Sequence, residues 1–174
     1  LWLKVLNKAK AMKAIFPGSF DPITNGHLAL IKRAAAVFDE VVVVVANNQS
    51  KHQLFNEQER LALVAAAVKS LSNVTALRPR RQELTVQVAQ RVGAQVIIRG
   101  VRNETDFSFE QAIAAVNKDL APDVETLLLP SQGKYQQLSS TLVREIASYG
   151  GDVSTLVPPA VQAALLKQED RIGD

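Results

Sequence analysis

Residues 16–27 read Phe16-Pro17-Gly18-Ser19-Phe20-Asp21-Pro22-Ile23-Thr24-Asn25-Gly26-His27. The stretch lies between a short apolar run, Ala14-Ile15-Phe16, and an amphipathic run from Leu28 to Val37. That pattern predicts a strand, a loop and a helix, in that order. His27 then falls in the first helical turn, with Thr24 or Asn25 as the cap. A helix start offers unpaired N–H groups and the positive end of a dipole, and anions bind there. Gly18 and Gly26 lack a Cβ and let a ligand approach the backbone closely. The chemistry of this stretch is that of a phosphate site at the end of a first strand.

Outward from it, strand and helix alternate. Val41 to Val45 is a continuous β-branched run, which suits a strand buried on both faces of a parallel sheet. Asn56-x-x-Glu59 is a capping box opening a helix to about Lys69, with Leu61, Val64, Ala65 and Val68 on one face. Val74 to Leu77 is a third strand, and Thr85 to Val92 a helix closed by Gly93. Val96 to Ile98 is a fourth strand, and Phe107 to Leu120 a helix stopped before Pro122. Thr126 to Leu129 is a fifth strand, ended by Pro130. Helices over Ser140 to Tyr149 and Pro158 to about Lys167 complete the chain. This alternation predicts α/β architecture: one doubly wound, Rossmann-like domain over 12–168 with a five-stranded parallel sheet. Residues 169–174 form a tail.

Composition narrows the function classes. The chain has 174 residues, the size of one domain, and an apolar fraction of 47%, enough for a sizeable core. Its net charge is only +3, although the pI is about 9.3. The basic residues are scattered and not interleaved with stacking aromatics, so no nucleic-acid partner is expected. There is no cysteine, which excludes disulfides, thiolate chemistry and cysteine-ligated zinc and fits a cytoplasmic location. No apolar run reaches membrane-spanning length. Residues 1–11 are basic with an apolar start, the wrong order for a secretory signal. They read as an upstream extension, poorly ordered.

Phosphates must be held by other means than the two commonest glycine loops, since neither G-x-G-x-x-G nor G-x-x-x-x-G-K-S/T occurs. Arg99-Gly100-Val101-Arg102 puts two guanidiniums at a strand end, costly there unless paired with anions. Surface salt bridges are the plainer alternative. Ser139-Ser140-Thr141 opens a helix with three hydroxyls where one cap would serve, and the surplus suits phosphate. Glu110, by contrast, reads as an exposed carboxylate four residues into its helix, favoured near a helix start. His27 is one of two histidines and no H-E-x-x-H spacing occurs, which makes a metal-ligand role poor.

The stretch Pro17 to His27 resembles the T-x-G-H signature of the nucleotidylyltransferase superfamily, and within it the bacterial phosphopantetheine adenylyltransferase family. The resemblance runs from about Met12 to about Gln168. Arg99 to Arg102 is similar to that family's R-G-L/V-R, and Tyr135 to Thr141 to its aromatic-x-x-I/L-S-S-S/T segment. The resemblance implies strand order 3-2-1-4-5, whose reversal would bring Gly18-Ser19 and Arg99 to Arg102 to one crevice. It implies ATP contacts from Ser19, Phe20, His27, Gly100, Val101, Arg102 and Glu110, and from Tyr135, Gln136, Gln137, Leu138, Ser139, Ser140 and Thr141. It assigns the acceptor to Ser19, Lys51, Thr85 and Arg99, and makes His27 a transition-state stabiliser.

The activity so implied is reversible transfer of AMP from ATP to 4′-phosphopantetheine, giving dephospho-coenzyme A and pyrophosphate. Mg²⁺ would ride mainly on the ATP phosphates, without dedicated protein ligands. A hexamer and feedback inhibition by coenzyme A are implied likewise. No serine–histidine–carboxylate relay is visible, which agrees with direct attack by the acceptor phosphate. Two other readings stand beside this one: transfer to nicotinate mononucleotide or a sugar-alcohol phosphate, and a non-catalytic nucleotide-binding module.

Overall fold

The computed structural model describes residues 11–47 and 53–172. Its elements are β1 (Lys13–Gly18), α1 (Asn25–Ala35), β2 (Glu40–Val45), α2 (Glu57–Val68), β3 (Val74–Leu77), α3 (Thr85–Val92), β4 (Val96–Val101), α4 (Glu104–Leu120), β5 (Glu125–Pro130), α5 (Ser140–Ser148) and α6 (Pro159–Ile172). A single 3₁₀ turn, Gly133–Tyr135, precedes α5. The strands pair in parallel in the order β3-β2-β1-β4-β5, as expected, so the order reverses between β1 and β4. The expected extension lies outside the described residues except for Ala11. The last helix runs beyond Lys167, through Ile172.

The alternation of side chains along a strand divides the core in two. Ala14, Phe16, Val41, Val43, Val45, Val96 and Ile98 point to one face, against Leu30 and Ile31 of α1, Val64 of α2 and Val161 of α6. Ile15, Val42, Val44 and Ile97 point to the other, against Val86 and Ala89 of α3 and Ala121 and Val124 beyond α4. Burial on both faces is why β1, β2 and β4 are apolar at consecutive positions. Each such Val or Ile contributes roughly 1.5–3 kcal/mol.

Four departures from the expected elements bear on the site. β4 continues to Val101, so Arg99 and Gly100 lie within the strand. α4 begins at Glu104 and not Phe107, because Asn103 caps it by accepting from Asp106 N–H at 2.9 Å. On α2 the buried positions are Arg60, Val64 and Val68, while Ala65 is exposed. A charged residue therefore occupies the inward stripe. α4 is also turned against its composition: it buries Glu110 and Asn117, and exposes Phe109, Val116 and Leu120.

Candidate active site

A crevice of about 310 Å³ opens at the carboxyl ends of β1 and β4. Gly18 and Ser19 form one wall and Arg99, Gly100 and Arg102 the other, with the start of α1 behind and the start of α5 in front. This is the position that a parallel sheet gives its ligands, beyond the strand ends where the order reverses.

His27 faces the crevice from the third position of α1. Thr24 caps the helix: its hydroxyl accepts from His27 N–H at 3.3 Å. In return the Thr24 N–H donates to His27 Nδ1 at 3.1 Å, and the Thr24 hydroxyl lies 3.0 Å from the same nitrogen. The pair is a capping box with histidine in the place usually held by Glu or Gln. An Nδ1 that accepts an N–H bond carries no hydrogen, so the neutral ring bears its hydrogen on Nε2. Burial, helped by the nearby charge of Arg102, lowers the His27 pKa to about 4. At neutral pH His27 is therefore an uncharged donor of fixed orientation. The Phe20 ring, itself buried, meets the imidazole edge-on at 5.2 Å between centroids.

Both arginines of the opposite wall are paired within the chain. Arg99 forks onto Glu110, Nε to Oε2 at 2.7 Å and Nη2 to Oε1 at 2.7 Å, and its Nη1 donates to the Pro17 carbonyl at 3.1 Å. Arg102 donates through Nε to Asp106 Oδ2 at 2.8 Å. The hydrogen bond from Arg102, which lies just before the Asn103 cap, holds the Asp106 carboxyl below its ordinary value. Glu110 thus departs from its expected setting. Because α4 starts earlier it lies in the helix's second turn, buried and engaged by Arg99. A bidentate arginine–carboxylate pair fixes the guanidinium plane and leaves little freedom to search for a ligand.

The three hydroxyls before and within α5 are all engaged. Ser139 caps the helix, accepting from Leu142 N–H at 3.1 Å. Ser140 donates to the Pro22 carbonyl at 2.7 Å, and Thr141 accepts from Arg144 at 3.4 Å. Arg144 also donates to the Asp21 carbonyl, tying α5 to the loop after β1. Asp21 is buried, and its carboxylate accepts the N–H groups of Leu54 and Phe55, each at 2.9 Å. Asp21-Pro22 is thus structural.

Of the residues singled out in the sequence, Ser19, His27, Arg99, Gly100, Arg102, Glu110, Tyr135, Leu138, Ser139, Ser140 and Thr141 line this one crevice. The side chains of Phe20 and Val101 are buried beside it, which leaves their backbone as the part a ligand could meet. Gln136 and Gln137 are exposed near its edge. Thr85 lies elsewhere, in a cavity of about 780 Å³ at the ends of β2 and β3 with Ala46, Asn47, Arg78 and Leu84. Lys51 lies outside the described residues. Gly100 has a packing reason of its own: a Cβ there would come within 2.6 Å of Leu30 Cδ1 on α1. Sequence reasoning missed Asp106 and Arg60. The Asn103-x-x-Asp106 cap pattern could have found the first; only the charge on an otherwise apolar stripe hinted at the second.

The sequence model of the cytidylyltransferase-like family matches residues 15–146. The fold agrees with a solved Vibrio parahaemolyticus protein described as a candidate nicotinate-nucleotide adenylyltransferase, with a TM-score of 0.69 at 23% identity over 90% of this chain and 93% of that one. The chain belongs to the cytidylyltransferase-like nucleotidyltransferases. A phosphopantetheine adenylyltransferase of Lacticaseibacillus paracasei is 52% identical over 162 residues, 92% of this chain and 94% of its own. One of Levilactobacillus brevis is 48% identical over 153 residues, 88% of this chain and 94% of its own. Within its class, then, the chain belongs to the phosphopantetheine adenylyltransferase family.

Proposed function

We propose that the protein transfers the adenylyl group of ATP to 4′-phosphopantetheine. An oxygen of the acceptor phosphate attacks the α-phosphorus, the bond from that phosphorus to the bridging oxygen breaks, and pyrophosphate leaves with the electron pair. The products are dephospho-coenzyme A and pyrophosphate, and the reaction runs both ways. The observation that carries this reading is the fixed Nε2–H donor of His27 at a helix N-terminus, sharing one crevice of about 310 Å³ with two guanidiniums. A neutral donor placed where charge builds on the phosphoryl oxygens stabilises the transition state without holding the ground state too tightly.

The nucleotide belongs in the crevice, between Ser19, His27 and Arg102 on its walls and Ser139 to Thr141 in front. The acceptor phosphate meets Arg99 and Lys51, and its arm runs toward Thr85 in the larger cavity. The two carboxylates on the crevice wall, Asp106 and Glu110, are each engaged by an arginine. Among the described residues no group of three or more His, Cys, Asp or Glu is placed to hold a metal. Mg²⁺ would ride mainly on the nucleotide phosphates and would supply charge neutralisation there.

An oligomer, by family likeness a hexamer, suits the outward apolar side of α4, where Phe109 is 64%, Val116 56% and Leu120 56% exposed. Sedimentation at micromolar protein concentration should show no monomer. A cytoplasmic location and inhibition by coenzyme A at the acceptor cavity complete the reading; no described helix is long and apolar enough to cross a membrane.

The test is pyrophosphate release from ATP with 4′-phosphopantetheine present and absent, beside parallel reactions with nicotinate mononucleotide and a sugar-alcohol phosphate. Release with 4′-phosphopantetheine alone is expected. Release only with another acceptor would reject the acceptor, and release with none would reject transfer as the function.

A further inference from the structure

Arg60 is wholly buried, yet it lines neither the crevice nor the larger cavity. Its Nη1 donates to the Ser19 carbonyl at 2.6 Å and to the Ala46 carbonyl at 2.8 Å. Its Nη2 donates to Gln53 Oε1 at 3.2 Å, and Gln53 donates in turn to Asn47 Oδ1 at 2.9 Å. Among the described residues the buried Arg60 Nε has no partner. A buried cation with an unmet donor is poor economy for a core, since apolar side chains of the same volume avoid the desolvation cost.

The place of those carbonyls gives the residue its meaning. The last bond between β1 and β2 runs from Ala46 N–H to the Gly18 carbonyl at 2.8 Å. Beyond it the strands part. Ser19 goes to the wall of the crevice, while Ala46 and Asn47 go to the wall of the larger cavity. One guanidinium nitrogen ties both walls at the point where the ladder no longer does. Its grip on the Ser19 carbonyl also orients the next peptide. In a trans peptide the C=O and the following N–H point in opposite directions, so the Phe20 N–H is turned away from Arg60. Phe20 is held at φ 48°, a conformation few non-glycine residues adopt. Among the described residues neither the Ser19 N–H nor the Phe20 N–H has an acceptor.

We propose that Arg60 is a positioning residue, which holds the nucleotide wall and the acceptor wall at the separation the transfer requires. The proposal rests on the assignment of the two cavities made above. If it is right, each substrate binds its own wall nearly normally when Arg60 is altered, and the loss falls on the step that needs both walls in register.

Arg60→Lys keeps a buried cation, but its one nitrogen cannot occupy the Nη1 and Nη2 positions together, so the fixed planar fork that holds the two carbonyls and Gln53 at once is lost. Turnover per folded molecule, counted by ATP-binding stoichiometry, is expected to fall roughly 10²-fold, the usual effect of a small misplacement of reacting groups. Dissociation constants for ATP alone and for 4′-phosphopantetheine alone should change less than about threefold. Gln53→Leu, at the outer end of the network, should act in the same sense but more weakly. Val64→Ala, buried on the same helix, controls for a purely structural role: it should lower the melting temperature and leave turnover per folded molecule unchanged. Normal turnover in Arg60→Lys, normal turnover in Gln53→Leu, or a loss from Val64→Ala as large as that from Arg60→Lys would overturn the proposal. A wild-type protein that bound ATP but released no pyrophosphate with any acceptor would instead reject the reaction, and this role with it.

Discussion

Replacing His27 by alanine removes three things at once: the Nε2–H donor in the crevice, the acceptor of the Thr24 N–H, and the edge contact with Phe20. The last two are stability effects. Losing the reciprocal hydrogen bond of the capping box costs about 1 kcal/mol, and a lost edge-on aromatic contact roughly 0.5–1.5 kcal/mol. The variant should therefore fold, with a lowered melting temperature. The first is a rate effect. Losing one preorganised donor to a developing charge costs roughly 10²–10³ in turnover. ATP affinity, measured by calorimetry, should change far less, since in the proposed role the donor acts chiefly in the transition state. No adenylylated protein should appear in mass spectra.

The protonation state supplies a second, independent arm. With a folded pKa of about 4 against 6.5 unfolded, His27 is neutral in the native state while the unfolded chain takes up a proton between those values. The unfolded state then binds more protons in that window, so stability rises with pH. The contribution is fully present above pH 6.5 and is lost as pH falls toward 4. A shift of this size corresponds to roughly 3 kcal/mol. Urea unfolding of wild type should steepen across that range relative to His27→Ala. The ratio of wild-type to variant turnover should be flat between pH 6 and 8, since substrate titration cancels in it. Turnover of the variant within about threefold of wild type, a trapped adenylyl-His27, or a turnover ratio that falls as pH rises through 6.5 would refute a neutral donor.

Glu110→Gln leaves Arg99 without its carboxylate fork, so turnover should fall and the KM for 4′-phosphopantetheine should rise, while ATP affinity stays near normal; a selective loss of ATP affinity would return Glu110 to the nucleotide. Arg99→Ala and Lys51→Ala should each weaken acceptor binding by roughly 1.5–3 kcal/mol, the usual worth of a charge-assisted contact, and unchanged acceptor Kd would reject the placement. Gly100→Ala puts a Cβ against Leu30 and should destabilise by roughly 1–3 kcal/mol through overpacking, with Leu30→Ala expected to relieve part of it; thermal unfolding of the single and double variants checks this. Removing residues 1–11 should leave the melting temperature and turnover intact, since the strand–helix pattern and the family match both begin after them; a large drop in either contradicts it.

What could be read from the sequence, and what could not, divides along the range of the interactions. The strand alternation, the Asn56–Glu59 capping box and the Gly93 stop were legible, because each is settled within a few residues. So was the clustering of Ser19, His27 and Arg102 once the strand order was supposed, since a parallel sheet brings all its carboxyl ends to one side. The ties that set the geometry were not legible. Arg99 reaches Glu110 on the next helix, Asp21 reaches Leu54 and Phe55, and Arg60 reaches Ser19 from another element altogether. No periodicity marks a partner at such distances. α4 shows the same limit from the other side. Its apolar residues announce a buried face, but hydrophobic period reports that a face wants covering, not what covers it. Within this chain the sheet takes the polar side of α4, because Arg99 and Thr126 are there to meet Glu110 and Asn117. The apolar side is left outward, and a partner surface must lie on it if those side chains are to leave water.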